Sequence, residues 1–251
     1  MSLFVAFRKE WMELIRSYRL LVVAIVLVFF GLTSPLLAKF TPELMTLIPT
    51  GGITIQMPPP TVADAFGQYI KNMAQFGIIL ALLLTMGAIA QEKDKGTAAM
   101  MLVKPLPRGA FLGAKFLGLA AIFAVSLSVA GIACYYYTLI LFEAMDILHW
   151  LVLNVLLFVY TLVFVAITLF CSTVTKSQAA AGGIALGLMV ILGLIGAIPG
   201  LGKYLPGELI TWGTRLMFGD TTISWTAFAV SIGLIVVPLL AAWLIFKRQE
   251  L

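Results

Sequence analysis

Trp150 to Cys171 reads WLVLNVLLFVYTLVFVAITLFC, 22 residues without a single Lys, Arg, Asp or Glu. As an α-helix at about 1.5 Å per residue it is roughly 33 Å long, enough to cross about 30 Å of hydrocarbon. Five further runs of the same kind flank it: Leu20 to Ala38, Asn72 to Ala90, Phe116 to Leu141, Ser177 to Ile198 and Thr226 to Phe246. None carries an ionisable acid or base. In lipid every backbone N–H and C=O must be satisfied within its own segment, so each run is expected to be a helix. The alternating pattern of a membrane β-barrel is absent.

Composition points the same way. The 251 residues are 62% hydrophobic and 11% charged, with a mean hydropathy of +1.09. A soluble domain needs more polar surface than that to cover its core. The fold class is therefore an all-α integral membrane protein, with six transmembrane helices in one domain spanning 1–251. The first run is not a cleaved signal peptide, because a 19-residue polar segment precedes it and no small-x-small cleavage site follows. That segment, 1–19, places Leu3, Phe4, Phe7, Trp11, Leu14, Ile15 and Tyr18 at helical spacing, with Arg8, Lys9, Arg16 and Arg19 on other faces. It reads as an amphipathic helix lying in the membrane interface.

Charge orients the bundle. Placing the N-terminus inside puts Arg8, Lys9, Arg16, Arg19, Lys93, Lys95, Lys104, Arg108, Lys115, Lys176, Lys247 and Arg248 on the inner side, leaving Lys39, Lys71, Lys203 and Arg215 outside. Basic residues concentrate on the cytoplasmic side of membrane proteins, so both termini are expected in the cytoplasm of a multi-pass cell-membrane protein. The net charge of +5 then reflects topology and contact with anionic lipid, and calls for no nucleic acid.

Catalytic chemistry finds no footing. The spans hold no acid or base, and His149 is the one histidine; beside Trp150 it reads as interfacial. Cys134 and Cys171 fall inside spans, as lone thiols, and no Cys/His cluster suggests a metal site. Ala197 to Tyr204 echoes a phosphate-binding loop. It has Ala197 where the first Gly belongs and Tyr204 where Ser or Thr would hold magnesium, so it is rejected. Proton- or sodium-driven carriers keep charges within their spans. Energy for any transport is thus expected from another polypeptide.

Several segments carry finer signals. Met57 to Pro60 is stiff, and Thr61 with Asp64 forms a capping-box-like pair that starts a helix near Val62. The 39–71 stretch is either a gate or a connector. Pro199 to Gly207 is broken by Pro and Gly yet fairly apolar, which fits either a re-entrant turn or a plain loop. Tyr135, Tyr136 and Tyr137 suit an outer aromatic belt, Asn154 is expected to bond to a neighbouring helix, and Gly183 with Gly187 gives a small-xxx-small face for helix packing.

Charge is concentrated most densely in Glu92-Lys93-Asp94-Lys95-Gly96-Thr97, followed by Met100, Met101, Leu102, then Pro105 and Arg108, with Lys115 at the entrance of the next span. Gly96 permits a sharp turn and Thr97 can cap a short helix. Ala98 to Val103 then offers an apolar surface with two adaptable methionines, and Pro105 and Pro107 stop it.

This pattern resembles the permease subunits of ABC transporters of the ABC-2 type. Their short loop between the second and third spans runs approximately Glu-Lys-x-x-Gly-Thr, an apolar helical turn or two, then Pro-x-x-Arg. The departures are Ala99, Lys104 and Pro107. The resemblance extends to the layout of the whole chain, exporter-like, with both ends inside and a broken outer segment before the last span. It implies that 91–110 is a cytoplasmic coupling loop, with Glu92, Lys93, Gly96, Thr97, Met100, Met101, Leu102, Pro105 and Arg108 docking a cytoplasmic ABC ATPase in two copies. It also implies a second permease, identical or related. ATP and magnesium belong to the ATPase, and this chain would need no cofactor. Export of a hydrophobic or amphipathic substrate such as a peptide, lipid or drug is the expected activity. The other reading is a membrane scaffold or immunity-type subunit that sequesters a ligand without transport.

Overall fold

The computed structural model describes residues 3–46, 58–94 and 107–248. Their order is α1 (Leu3–Arg16), α2 (Arg19–Thr46), α3 (Val62–Thr85), α4 (Ala90–Asp94), α5 (Arg108–Leu141), α6 (Ile147–Val174), α7 (Gln178–Gly196), a 3₁₀ turn (Gly202–Tyr204), α8 (Gly207–Met217) and α9 (Trp225–Arg248). Among the described residues there is no strand, and six helical stretches are long and apolar enough to cross a membrane. The all-α reading and the six expected spans agree with this.

The helix containing the Trp150–Cys171 run, α6, is the centre of the molecule. It packs against α3, α4, α5, α7, α8 and α9, which is why a segment so uniformly apolar has no polar face. Leu153, Leu157 and Leu169 on α6 are fully buried, together with Tyr69 and Met73 of α3 and Phe123 of α5. Asn154 accepts a hydrogen bond from the Tyr69 hydroxyl at 2.6 Å and donates to the Trp150 carbonyl at 2.9 Å. The expected bond from Asn154 to a neighbouring helix is present.

The α2–α5 contact is the most extensive in the bundle. Gly31 permits it: a Cβ there would meet the Ala130 carbonyl oxygen at 2.6 Å. Helix α2 outruns its apolar core at the far end, continuing through Pro35 and Pro42. Helix α3 begins at Val62, where Asp64 accepts from the Thr61 backbone N–H and hydroxyl, both at 2.8 Å. The expected capping pair is in place.

Helix α1 turns into α2 at Tyr18, whose φ is 58°. Its protein-facing row is Ala6, Glu10 and Leu14. Phe4, Ile15 and Tyr18 are exposed, whereas the half-exposed Leu3 reaches toward Gly113 of α5.

Gly183 and Gly187 are exposed on the face of α7 turned away from the rest of this chain. Among the described residues, no atom outside the neighbouring turns of α7 lies within 4 Å of where a Cβ would stand on either. The inward face of α7 is instead Ala181, Gly182, Ala185 and Met189. Gly182 is the close-packed glycine, with the Met86 sulfur 2.9 Å from its would-be Cβ. The cause is rotational: residues one apart on a helix differ by about 100°, so the small-residue run from Ala179 to Gly183 cannot all face inward.

Between α7 and α9 the broken segment folds back onto the bundle. Gly200, at φ 86°, makes the turn. The following helix α8 buries Leu209, Trp212, Gly213 and Leu216 against α6. Within Pro199 to Gly207 only Pro206 is buried, and most of the turn is exposed.

Candidate functional site

The second long helix breaks before it leaves the bundle. Helix α3 ends at Thr85 and the chain restarts as α4 at Ala90. A break leaves backbone donors without helical partners. Ser172 of α6, fully buried, supplies them: its hydroxyl oxygen accepts from the Ile89 and Ala90 N–H groups at 3.0 Å each and donates to the Met86 carbonyl at 2.9 Å. Gly87 leaves room for Gln178, whose side-chain amide would lie 3.2 Å from a Cβ there. The direction in which α4 leaves the bundle is therefore fixed by α6 and α7.

Three charged side chains from three elements meet beside that break. Lys115, at the start of α5 and 5% exposed, donates to Glu92 of α4 at 2.6 Å and to Glu10 of α1 at 3.2 Å. Its ammonium also lies 5.1 Å from the Phe111 ring centre. Lys9 approaches Glu10 and Glu13, each at 3.4 Å. A buried cation between two carboxylates has its charge compensated on both sides, and its geometry is held by the cost of leaving any member unpaired.

The neighbouring loop residues are anchored as well. Lys93 donates to the Thr173 carbonyl and lies 5.8 Å from the Phe246 ring centre. Arg108 donates to the carbonyls of Phe246 at 2.7 Å and Lys247 at 2.9 Å. A guanidinium on the last carbonyls of α9 satisfies acceptors that the helix end leaves open and suits the negative end of the helix dipole. Phe246 itself is fully buried and stacks on Phe111 at 5.6 Å.

Of the residues expected in the docking loop, Glu92, Lys93 and Arg108 are thus brought to one end of the bundle. Gly96, Thr97, Met100, Met101, Leu102 and Pro105 lie outside the described residues. Glu10 and Ser172 were not singled out from sequence. Glu10 had a usable signal, since it falls on the row Ala6, Glu10, Leu14, the only acid on the buried face of α1. Ser172 had none, because serine in an apolar helix commonly bonds its own i−4 carbonyl.

The opposite end of the bundle has its own polar features. Glu208 and Arg215 of α8 pair at 2.7 Å, and Ser224 bonds to both, at 2.9 Å to Arg215 and 3.1 Å to Glu208. Asp146 caps α6, and the backbone N–H groups of His149 and Leu148 hold its carboxyl below the usual carboxylate range. Between α3, α6, α7 and the broken segment lies a cavity of about 620 Å³. Among the described residues no group of three His, Cys, Asp or Glu side chains could hold a metal ion.

Comparison with known proteins agrees with the layout. Residues 4–251 match the family described as ABC-2 family transporter protein. An uncharacterized transmembrane protein, YxlG of Bacillus subtilis (strain 168), is 23% identical over 249 residues, covering 97% of this chain and 96% of that protein. The family match takes in both the clamped flanks of residues 95–106 and helix α8 before the last helix: this chain belongs to the ABC-2 family of transporter proteins.

Proposed function

We propose that this chain is one permease half of an ATP-driven exporter, paired with a second permease and served by two copies of a separate cytoplasmic ATPase that bind ATP and magnesium. Membership of the family makes the chain a membrane transport component, not itself catalytic, and implies an ABC ATPase as partner. Export, the number of subunits, and a hydrophobic or amphipathic substrate are the finer reading. So is the orientation with both termini inside, which rests on the basic-residue asymmetry.

The observation that carries the coupling reading is that the flanks on both sides of residues 95–106 are tied to several helices at once. Before the loop, Glu92 is joined through Lys115 to α5 and through it to Glu10 of α1. After the loop, Arg108 holds the end of α9. A push on the loop from outside the bundle would therefore act together on α1, α4, α5, α6 and α9. Close packing that ties several helices to one point is what lets a small displacement there act on all of them.

The test is reconstitution. Vesicles containing the chain alone should show neither ATP hydrolysis nor transport driven by a pH gradient. Vesicles that also hold the co-purifying ATPase should hydrolyse ATP and move an amphipathic substrate. Transport by the chain alone on a pH gradient overturns the proposal.

A further inference from the structure

We infer that the cavity beneath the broken segment is a binding site for an anionic amphiphile, with Lys203 contacting the anionic group and α6 and α7 receiving the apolar chain. The inference rests on the permease reading only for its purpose, not for its chemistry. At about 620 Å³ the cavity has the size of a small-molecule site. Its inner wall is apolar, built from Phe164 of α6 and Met189 and Leu192 of α7. Its rim is the turn around Gly200 to Gly207, at the end of the bundle away from the Glu92–Lys115 cluster.

Two charged residues line it, Lys203 and Glu208. They are not equivalent. Glu208 is already neutralised by Arg215 at 2.7 Å and receives a further hydrogen bond from Ser224. Lys203 is exposed and, among the described residues, has no carboxylate partner; its ammonium rests 4.9 Å from the Tyr204 ring centre. The lining therefore presents one uncompensated positive charge above an apolar floor. A phosphate or carboxylate at Lys203 gains a charge-assisted contact, and its alkyl chain reaches surface that water covers poorly. A cationic amphiphile would find no such partner, because the one acid in the lining is taken. The anion could come from a bilayer lipid or from a free single-chain amphiphile.

Binding of radiolabelled dodecyl phosphate to the full chain in phosphatidylcholine nanodiscs tests this, without ATP and without the ATPase. The expected result is saturable binding at one site per chain. Lys203→Glu should weaken it by about tenfold or more, Lys203→Arg should retain it, and Met189→Trp, which fills the floor, should weaken it independently. Dodecyltrimethylammonium should not compete. If discs containing phosphatidylglycerol show reduced dodecyl phosphate binding, the site takes a lipid headgroup. If they show unreduced binding, it takes the free amphiphile. Absence of saturable binding, equal competition by the cation, or unchanged affinity in both Lys203→Glu and Met189→Trp overturns the inference. Such a failure would leave the permease proposal standing, since coupling to the ATPase is read in a separate assay.

Discussion

Lys115 holds the Glu92 end of the bundle together because it is the shared cation of two carboxylates on different helices. Removing one partner of a buried ion pair typically costs about 3–5 kcal/mol, since the other charge stays buried without compensation. Lys115→Met takes the 2.6 Å cation from Glu92 and leaves Glu10 with the half-exposed Lys9. Its thermal unfolding midpoint in detergent should fall clearly below wild type, and adding Glu10→Gln and Glu92→Gln should recover much of the loss. A Lys115→Met protein as stable as wild type would show that the cluster contributes nothing to packing. Tyr69→Phe is a milder case. It strips the 2.6 Å hydrogen bond from Asn154 but keeps the ring against Trp150. The expected loss is about 1 kcal/mol, in line with hydrogen bonds between membrane helices. At this scale the sequence was partly legible. Asn154 stood out because an amide in a long apolar run needs a partner. The Glu10–Lys115–Glu92 cluster did not, because its members lie 105 and 23 positions apart and only tertiary packing brings them together.

At the scale of the helices, two glycine sites make opposite predictions for the same change. Gly31→Ala places a methyl 2.6 Å from the Ala130 backbone oxygen, where no flexible side chain can yield. The α2–α5 contact must open, and lower yield of folded protein with a reduced unfolding temperature is expected. Gly183→Ala adds a methyl to open space and should leave the isolated chain as stable as before, or more stable by up to about 1 kcal/mol through helix propensity. Unfolding curves for both variants under one condition decide the matter; destabilisation by Gly183→Ala alone would mean that α7 is packed the other way round. Helix existence was readable throughout, since uncharged runs of this length leave no alternative. Helix ends and facing were less so. The apolar run from Leu20 to Ala38 gave no reason to continue past Ala38 and through Pro42, yet α2 does. Small residues on two adjacent faces of α7 could not say which face turns inward, because both satisfy the same spacing.

For the whole molecule, the basic-residue asymmetry predicts which end faces the cytoplasm. Replacing the two buried cysteines, Cys134 and Cys171, gives a background for single-cysteine labelling. Positions 43 and 146 should react with an impermeant reagent on intact cells and position 104 should not. Labelling at 104 from outside would invert the topology and remove the docking reading with it. The set of six spans was legible as uncharged apolar runs, whereas the central place of Ile147–Val174 among them comes from the packing. What the sequence could not supply is how the loop flanks are held, because Ser172 and the carbonyls that Arg108 grips are ordinary groups until packing assembles them.

The central claim is that the loop following Glu92 is where a separate ATPase takes hold. Met101→Asp tests it most directly, since an unpaired charge carried into a desolvating contact costs several kcal/mol, and about 1.4 kcal/mol already shifts association tenfold. Co-purification of the ATPase on the tagged full-length chain is the measurement, with the permease's own yield and unfolding temperature read in parallel. The account predicts that the ATPase is lost while the permease is recovered in normal amount with unchanged stability. Recovery of the ATPase at undiminished stoichiometry on Met101→Asp would contradict it.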